Sequence, residues 1–186
     1  MLSDARRRLV AGLSGRVVAI GAGAGATFAY YPGTVTSVVA VEPNPRCRVA
    51  ADRAARTASV PIHVVDAVAE ALPLSDGAVD AAITSLTLCS VADLPAALIE
   101  LRRVLRPEGV LRFLEHVLAE RGPLRLLQRA AAPVYRHLPG GCHIDRDTIA
   151  SIAGAGLAIE ECHRLMHADG ALESAIPHVI GSATAA

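Results

Sequence analysis

The chain has 186 residues, enough for one domain with a buried sheet covered on both faces and too few for two. Hydrophobic residues make up 52% and charged residues 19%, which excludes a disordered chain, and 18 basic residues balance 18 acidic ones, which argues against a nucleic-acid partner. No stretch reaches membrane-spanning length without charge, and the opening residues around Arg6, Arg7 and Arg8 lack the apolar run of a secretion signal, so the cytoplasm is the expected compartment.

In chain order, Arg16 to Ile20 is a short apolar run ending in Gly21-Ala22-Gly23-Ala24-Gly25, which reads as a buried strand, a glycine turn and a helix start. Val35 to Val41, rich in β-branched residues, predicts a second strand that stops on the acid of Glu42-Pro43-Asn44-Pro45. A helix is expected from Pro45 to Thr57, a third strand over Pro61 to Val65, and a fourth over Ala78 to Thr84 after the turn Ser75-Asp76-Gly77. Asp93 should cap a helix running to Leu105, with Leu94, Ala97, Leu98, Leu101, Val104 and Leu105 on one stripe. Arg106-Pro107-Glu108-Gly109 should end that helix before a fifth strand, Val110 to Val117. Gly122 to His137 is helical in pattern but interrupted by Pro133, and Asp145 to Ala153 predicts a short helix. Leu157 to Leu165 and Ile176 to Thr184 read as two closing strands without a crossover helix, hence an antiparallel hairpin.

This alternation predicts a single domain over residues 1–186: a doubly wound α/β fold with a seven-stranded, mostly parallel sheet and a closing hairpin. Such sheets bind ligands beyond the carboxyl ends of their strands, where strand order reverses. Chemistry is therefore expected around Gly21 to Gly25, Glu42, Ala69-Glu70, Ser85-Leu86 and His116.

Cys47, Cys89, Cys142 and Cys162 are too scattered for a disulfide scaffold and are read as reduced. Cys142-His143, Cys162-His163 and His167 contain no paired-cysteine spacing, so no metal site is expected. Cys89 has no base beside it in sequence and reads as site wall or core.

Alternate glycines at 21, 23 and 25 let the backbone pass close to a ligand, and Gly21 to Ala26 satisfies a dinucleotide fingerprint with alanine last. Glu42, about twenty residues on at the end of strand two, is placed to accept hydrogen bonds from the ribose hydroxyls of an adenosine. These two features leave a nicotinamide cofactor and S-adenosylmethionine both open.

Five segments together resemble the class I methyltransferases of the type 11 group. They are Val17 to Gly25, Val41 to Pro45, Ala69-Glu70 before Leu72-Pro73-Leu74, Asp76 to Asp80, and Arg103 to Gly109. Thr87 to Val91, Glu115-His116-Val117, Gly141-Cys142 with Arg146, and Pro177 to Gly181 are similar to the alkyl-thiol S-methyltransferase branch. The resemblance implies a Rossmann-like fold, S-adenosylmethionine as cofactor, and methyl transfer to a small molecule, a thiol first and an oxygen or nitrogen nucleophile behind it. By the same resemblance Gly21, Ala22 and Gly23 would face the methionine part, with Gly25, Pro43 and Asn44 also among the cofactor-binding residues. Glu42 would face the ribose, Ala69 and Glu70 the adenine, and Ser85 and Leu86 the sulfonium.

Two departures from that pattern stand out. Ala19 occupies the position where the family usually carries an acid that organises the glycine loop, and only about fifteen residues precede strand one where lid helices usually lie. The site is then either open or covered by a second subunit of a homodimer. For the acceptor, His116 is the candidate base or orienting group. Cys142, His143 and Arg146 form a second polar cluster, and Tyr30 and Tyr31 either shape the pocket mouth or pack the first helix. The rival readings are a nicotinamide-dependent oxidoreductase and a non-methylating member of the fold.

Overall fold

Along the first strand, β1 (Gly15–Ile20), Val17 and Ala19 join one apolar cluster while Val18 and Ile20 join another, as a strand buried on both faces requires. The computed structural model, which describes residues 2–138, 140–165 and 177–185, sets β1 within a seven-stranded sheet. The other strands are β2 (Val35–Val41), β3 (Ile62–Val65), β4 (Val79–Ser85), β5 (Leu105–His116), β6 (Leu157–Leu165) and β7 (His178–Ala185). The helices are α1 (Leu2–Val10), α2 (Pro45–Ala55), α3 (Leu94–Val104), α4 (Pro123–Tyr135) and α5 (Thr148–Gly154).

Strand order is β3-β2-β1-β4-β5-β7-β6, with the pairs among β1 to β5 parallel and β7 antiparallel to both β5 and β6. The doubly wound sheet and its closing antiparallel pair are thus as the sequence led us to expect, and strand order reverses between β1 and β4. Ala5, Leu9 and Val10 of α1 and Ala51 of α2 bury against one face of the sheet; Leu94 to Val104 of α3 and Ile152 of α5 bury against the other. No helix among the described residues is long and apolar enough to cross a membrane.

Five local features differ from, or add to, what the sequence led us to expect. The opening residues form α1, whose apolar positions 5, 9 and 10 make one buried stripe. The glycine turn leads into no helix: a single 3-10 turn, Phe28–Tyr30, follows it. Pro32 accounts for this, because it holds Tyr31 in extended backbone (φ −60°, ψ 129°) and leaves too few residues for an α-helix to propagate. Strand β5 begins at Leu105, directly after α3, and residues 106–109 bulge out opposite Asp80, with Glu108 at φ 63°. Pro133 lies inside α4 rather than breaking it, and α5 starts at Thr148 because Asp147, not Asp145, caps it by accepting the Ala150 N–H at 3.1 Å. Residues 166–176, which include His167 and Ile176, lie outside the described residues.

One ion pair fixes the loop that follows β3. Glu100 accepts from Arg103 Nε at 2.5 Å and from the Leu72 N–H at 2.8 Å, and Arg103 in turn donates to the Leu72 and Leu74 carbonyls. The Arg103 guanidinium holds the Glu100 carboxyl below the usual carboxylate range.

Candidate active site

At the tip of β1 the chain turns through Gly21, Gly23 and Gly25, all at positive φ (60°, 55° and 81°), a region that side chains with a β-carbon disfavour. Their surroundings differ. A β-carbon on Gly21 would run into the Thr87 side chain and one on Gly25 into Phe28, whereas nothing lies within 4 Å of the β-carbon position on Gly23. The expectation that all three glycines make room for a ligand is corrected: two make room for the protein's own side chains, and Gly23 alone opens onto free space.

Glu42, at the tip of β2 and only 7% exposed, reaches across to this turn. Its Oε2 accepts the Gly23 N–H at 2.8 Å and its Oε1 accepts the Asn44 N–H at 2.9 Å. The carboxylate therefore does the loop-organising work for which Ala19, buried in β1, has no polar atom. Asn44 is occupied in capping α2, with Pro45 at its first turn.

A cleft of about 700 Å³ opens here, walled by Gly21, Gly23, Glu42 to Asn44, Ala69, Glu70, Ser85 to Thr87 and Ser90. Most of the expected cofactor residues are thus gathered along one hollow. Glu70 also accepts the Asp93 N–H at 3.0 Å, which anchors its loop to the start of α3. A smaller hollow of about 250 Å³, walled by Arg6, Ala19 to Ala24, Thr27 and Ser85, adjoins the glycine turn and holds Ala22. Arg6 Nε and Ser85 Oγ are buried at its wall and have no hydrogen-bond partner among the described residues. Sequence reasoning passed over Arg6 because the helix that carries it was not foreseen.

Between β4 and α3 the chain makes a tight loop in which Leu86 adopts φ 59°, a strained conformation for a residue with a β-carbon. Three hydrogen bonds hold it. Thr87 Oγ1 donates to the Ile20 carbonyl at 3.0 Å, and fully buried Glu115 on β5 accepts from the Thr87 N–H at 3.1 Å and the Cys89 N–H at 3.4 Å. Burial pushes the Glu115 carboxyl above the usual carboxylate range, against the pull of those backbone donors.

His116, next along β5, meets Cys89 and Cys142: its Nδ1 lies 3.6 Å from Cys89 Sγ and 3.2 Å from Cys142 Sγ. The His178 ring packs on it at 4.3 Å between centroids. A hydrogen bond from Cys89 lowers the Cys142 thiol, and that same contact, together with burial, raises Cys89. Cys89, read as site wall or core with no base beside it in sequence, is buried, and parallel pairing of β4 with β5 brings His116 to it in space. That neighbour could have been foreseen from strand order; Cys142 could not.

The second polar cluster divides. Arg146 donates from Nη1 to the Leu88 and Val91 carbonyls, both at 2.8 Å, and the His143 N–H donates to the Cys89 carbonyl at 2.6 Å. These two residues brace the loop after β4. Tyr30 lies apart from both hollows, with the Arg7 guanidinium 5.4 Å above its ring, and buried Tyr31 packs in the core near α1.

Residues 18–113 match the model of the methyltransferase domain family. The chain is 34% identical over 140 residues to thiol S-methyltransferase TMT1B of Rattus norvegicus, an alignment covering 73% of this chain and 57% of that protein. It is 32% identical over 181 residues to thiol S-methyltransferase TMT1A of Homo sapiens, covering 93% of this chain and 72% of that one. The chain therefore spans little more than half the length of the rat relative. In fold it is similar to geranyl diphosphate C-methyltransferase from Streptomyces coelicolor A3(2), solved with S-adenosyl-L-homocysteine: TM-score 0.74, 16% identity, 98% of this chain and 77% of that chain.

Proposed function

Since the chain belongs to the methyltransferase domain family, we propose that it transfers a methyl group from S-adenosylmethionine to a small molecule, with a thiol as the favoured acceptor. An oxygen or nitrogen nucleophile stands behind the thiol. The observation that carries this reading is the Glu42–Gly23 pair at the reversal of strand order, beside a cleft large enough for a nucleoside. The names of the relatives support the choice of sulfur.

The residues present fit an adenosyl amino acid. Open space over Gly23, the lone pairs left on Glu42, and the unpartnered Arg6 Nε and Ser85 Oγ in the adjoining hollow supply a sugar acceptor at one end and carboxylate donors at the other. In this reading Glu42 holds the ribose, Ala69 and Glu70 flank the adenine, Arg6 binds the methionine carboxylate, and Ser85 and Leu86 border the sulfonium.

When bound, S-adenosylmethionine supplies a methyl carbon on a positively charged sulfur, already activated for in-line displacement. The protein's own task is to hold an acceptor at attacking distance and keep water out. A free thiol with a pKa of about 8.5 is a few per cent thiolate at neutral pH and needs little further activation. His116 is the group that would orient it, since it stands one residue past Glu115 and contacts Cys89, whose neighbours Leu86, Thr87 and Ser90 line the cleft.

Mass spectrometry of small thiols, phenols and amines incubated with the protein and S-adenosylmethionine tests the reading. A gain of one methyl on thiols is expected. Tight cofactor binding with no methylated product in any panel would make the chain a non-methylating member of its family. Preferential binding of a reduced nicotinamide would overturn the reading altogether.

A further inference from the structure

Cys89, His116 and Cys142 come from three separate parts of the chain, yet their Sγ, Nδ1 and Sγ atoms all lie within 4.8 Å of one another. Zinc held tetrahedrally by bonds of about 2.3 Å to sulfur and about 2.0 Å to nitrogen sets sulfur and nitrogen ligands about 3.5 Å apart. The two sulfur–nitrogen distances here, 3.6 Å and 3.2 Å, bracket that edge. We propose that Cys89, His116 and Cys142 form a zinc site with a free fourth position, and that the fourth ligand is the sulfur of the acceptor thiol. The second half of this proposal rests on the methyl-transfer reading above.

Several features suit the site to that role. Two thiolates and an imidazole select a soft or borderline divalent ion, and three protein ligands leave the coordination open, as catalytic rather than structural zinc requires. The ligands are held from outside: Cys89 by Glu115 at its N–H and by His143 at its carbonyl, His116 by Thr148 Oγ1 at its carbonyl and by the His178 ring. Cys89 is buried while His116 and Cys142 are half-buried, so one side faces outward. The three ligands do not themselves line the cleft, but chain neighbours do: Ser90, next to Cys89, and Gly140, two residues before Cys142.

On loading, each cysteine releases its thiol proton to solvent and keeps the electron pair as a bond to the metal. An acceptor thiol entering the fourth position would do the same, and a lone pair left on its sulfur would form the new bond to the methyl carbon as the bond from that carbon to the sulfonium breaks, the bonding electrons leaving with S-adenosylhomocysteine. A neutral thioether is a poor ligand by comparison, so the product would leave.

The test is metal content and spectrum. The purified chain is stripped with a chelator, reloaded with zinc or cobalt(II) under reducing conditions and dialysed, alongside Cys142→Ser, His116→Ala and Cys162→Ser. One metal per chain is expected in the unaltered protein and in Cys162→Ser, with most of it lost from the other two. The cobalt form should show thiolate charge-transfer and tetrahedral visible bands that move when a small thiol is added.

No bound metal, metal retained by both Cys142→Ser and His116→Ala, cobalt bands indifferent to thiols, or a Cys89–Cys142 disulfide that excludes metal would each overturn the proposal. Affinity for S-adenosylhomocysteine, measured on the same samples, is expected to survive in Cys142→Ser. Its absence from every sample would sink the methyl-transfer reading while leaving the metal result to stand by itself.

Discussion

Thr87 fills the space that a side chain on Gly21 would need: a β-carbon there would come within 2.5 Å of Thr87 Oγ1 and Cγ2. The tips of β1 and β4 are thereby locked together, and the glycine turn owes part of its composition to this packing. Gly21→Ala should destabilise the fold by about 1–3 kcal/mol, from overpacking and from the left-handed backbone. Gly23→Ala, with open space above it, should cost only about 1 kcal/mol in strain yet weaken cofactor binding. Melting temperatures and calorimetry on both variants separate the two effects, and equal loss of stability would contradict the distinction.

Glu42 serves the loop and the proposed ribose at once. Glu42→Ala should lower stability by about 1–2 kcal/mol, since the Gly23 and Asn44 N–H groups lose their acceptor, and should weaken S-adenosylhomocysteine binding about tenfold or more. Isothermal titration beside a denaturant melt measures both. A stable variant with unchanged affinity would remove Glu42 from the cofactor site.

Arg6 offers a cleaner separation, because no described contact ties its Nε to the fold. Arg6→Ala should leave the melting temperature within a few degrees while raising the dissociation constant of S-adenosylhomocysteine about tenfold. Adenosine, which lacks the amino-acid part, should bind both forms alike. Equal weakening for adenosine would place Arg6 away from the carboxylate.

Acid should loosen the loop after β3. Glu100 titrates below its unfolded value of about 4.3 in the folded chain, so its contribution is complete above that pH and is lost as pH falls through the lower, folded value. Glu100→Gln should cost about 1–2 kcal/mol at neutral pH and should flatten the stability profile below about pH 4.3. Parallel profiles for the two proteins, followed by circular dichroism, would rule this out.

Much of the fold was legible in the sequence because strands buried on both faces announce themselves as unbroken apolar runs, as Val17 to Ile20 and Val38 to Val41 do. Proline and glycine marked most ends. What escaped was decided by tertiary context: α1 is a short arginine-rich segment whose helicity depends on burying Ala5, Leu9 and Val10 against the sheet. In the site, Glu42 was readable from its place at a strand end, but its grip on Gly23 was not. Meetings between distant residues, such as Cys142 with His116, leave no periodic trace, because they depend on how a long connection folds back over the sheet.

The loop from Leu86 to Val91 belongs to both halves of the site: its outer residues wall the cleft while Cys89 within it turns toward His116. On the proposed function, divergence toward new acceptors would thereby be channelled. Substitutions in this short segment would disturb both ligands together, so selection for a different acceptor would have freer play in α4, which carries none of the proposed ligands. Homologues that share one cofactor but differ in acceptor should accordingly vary most there, and hardly at all between Leu86 and Val91.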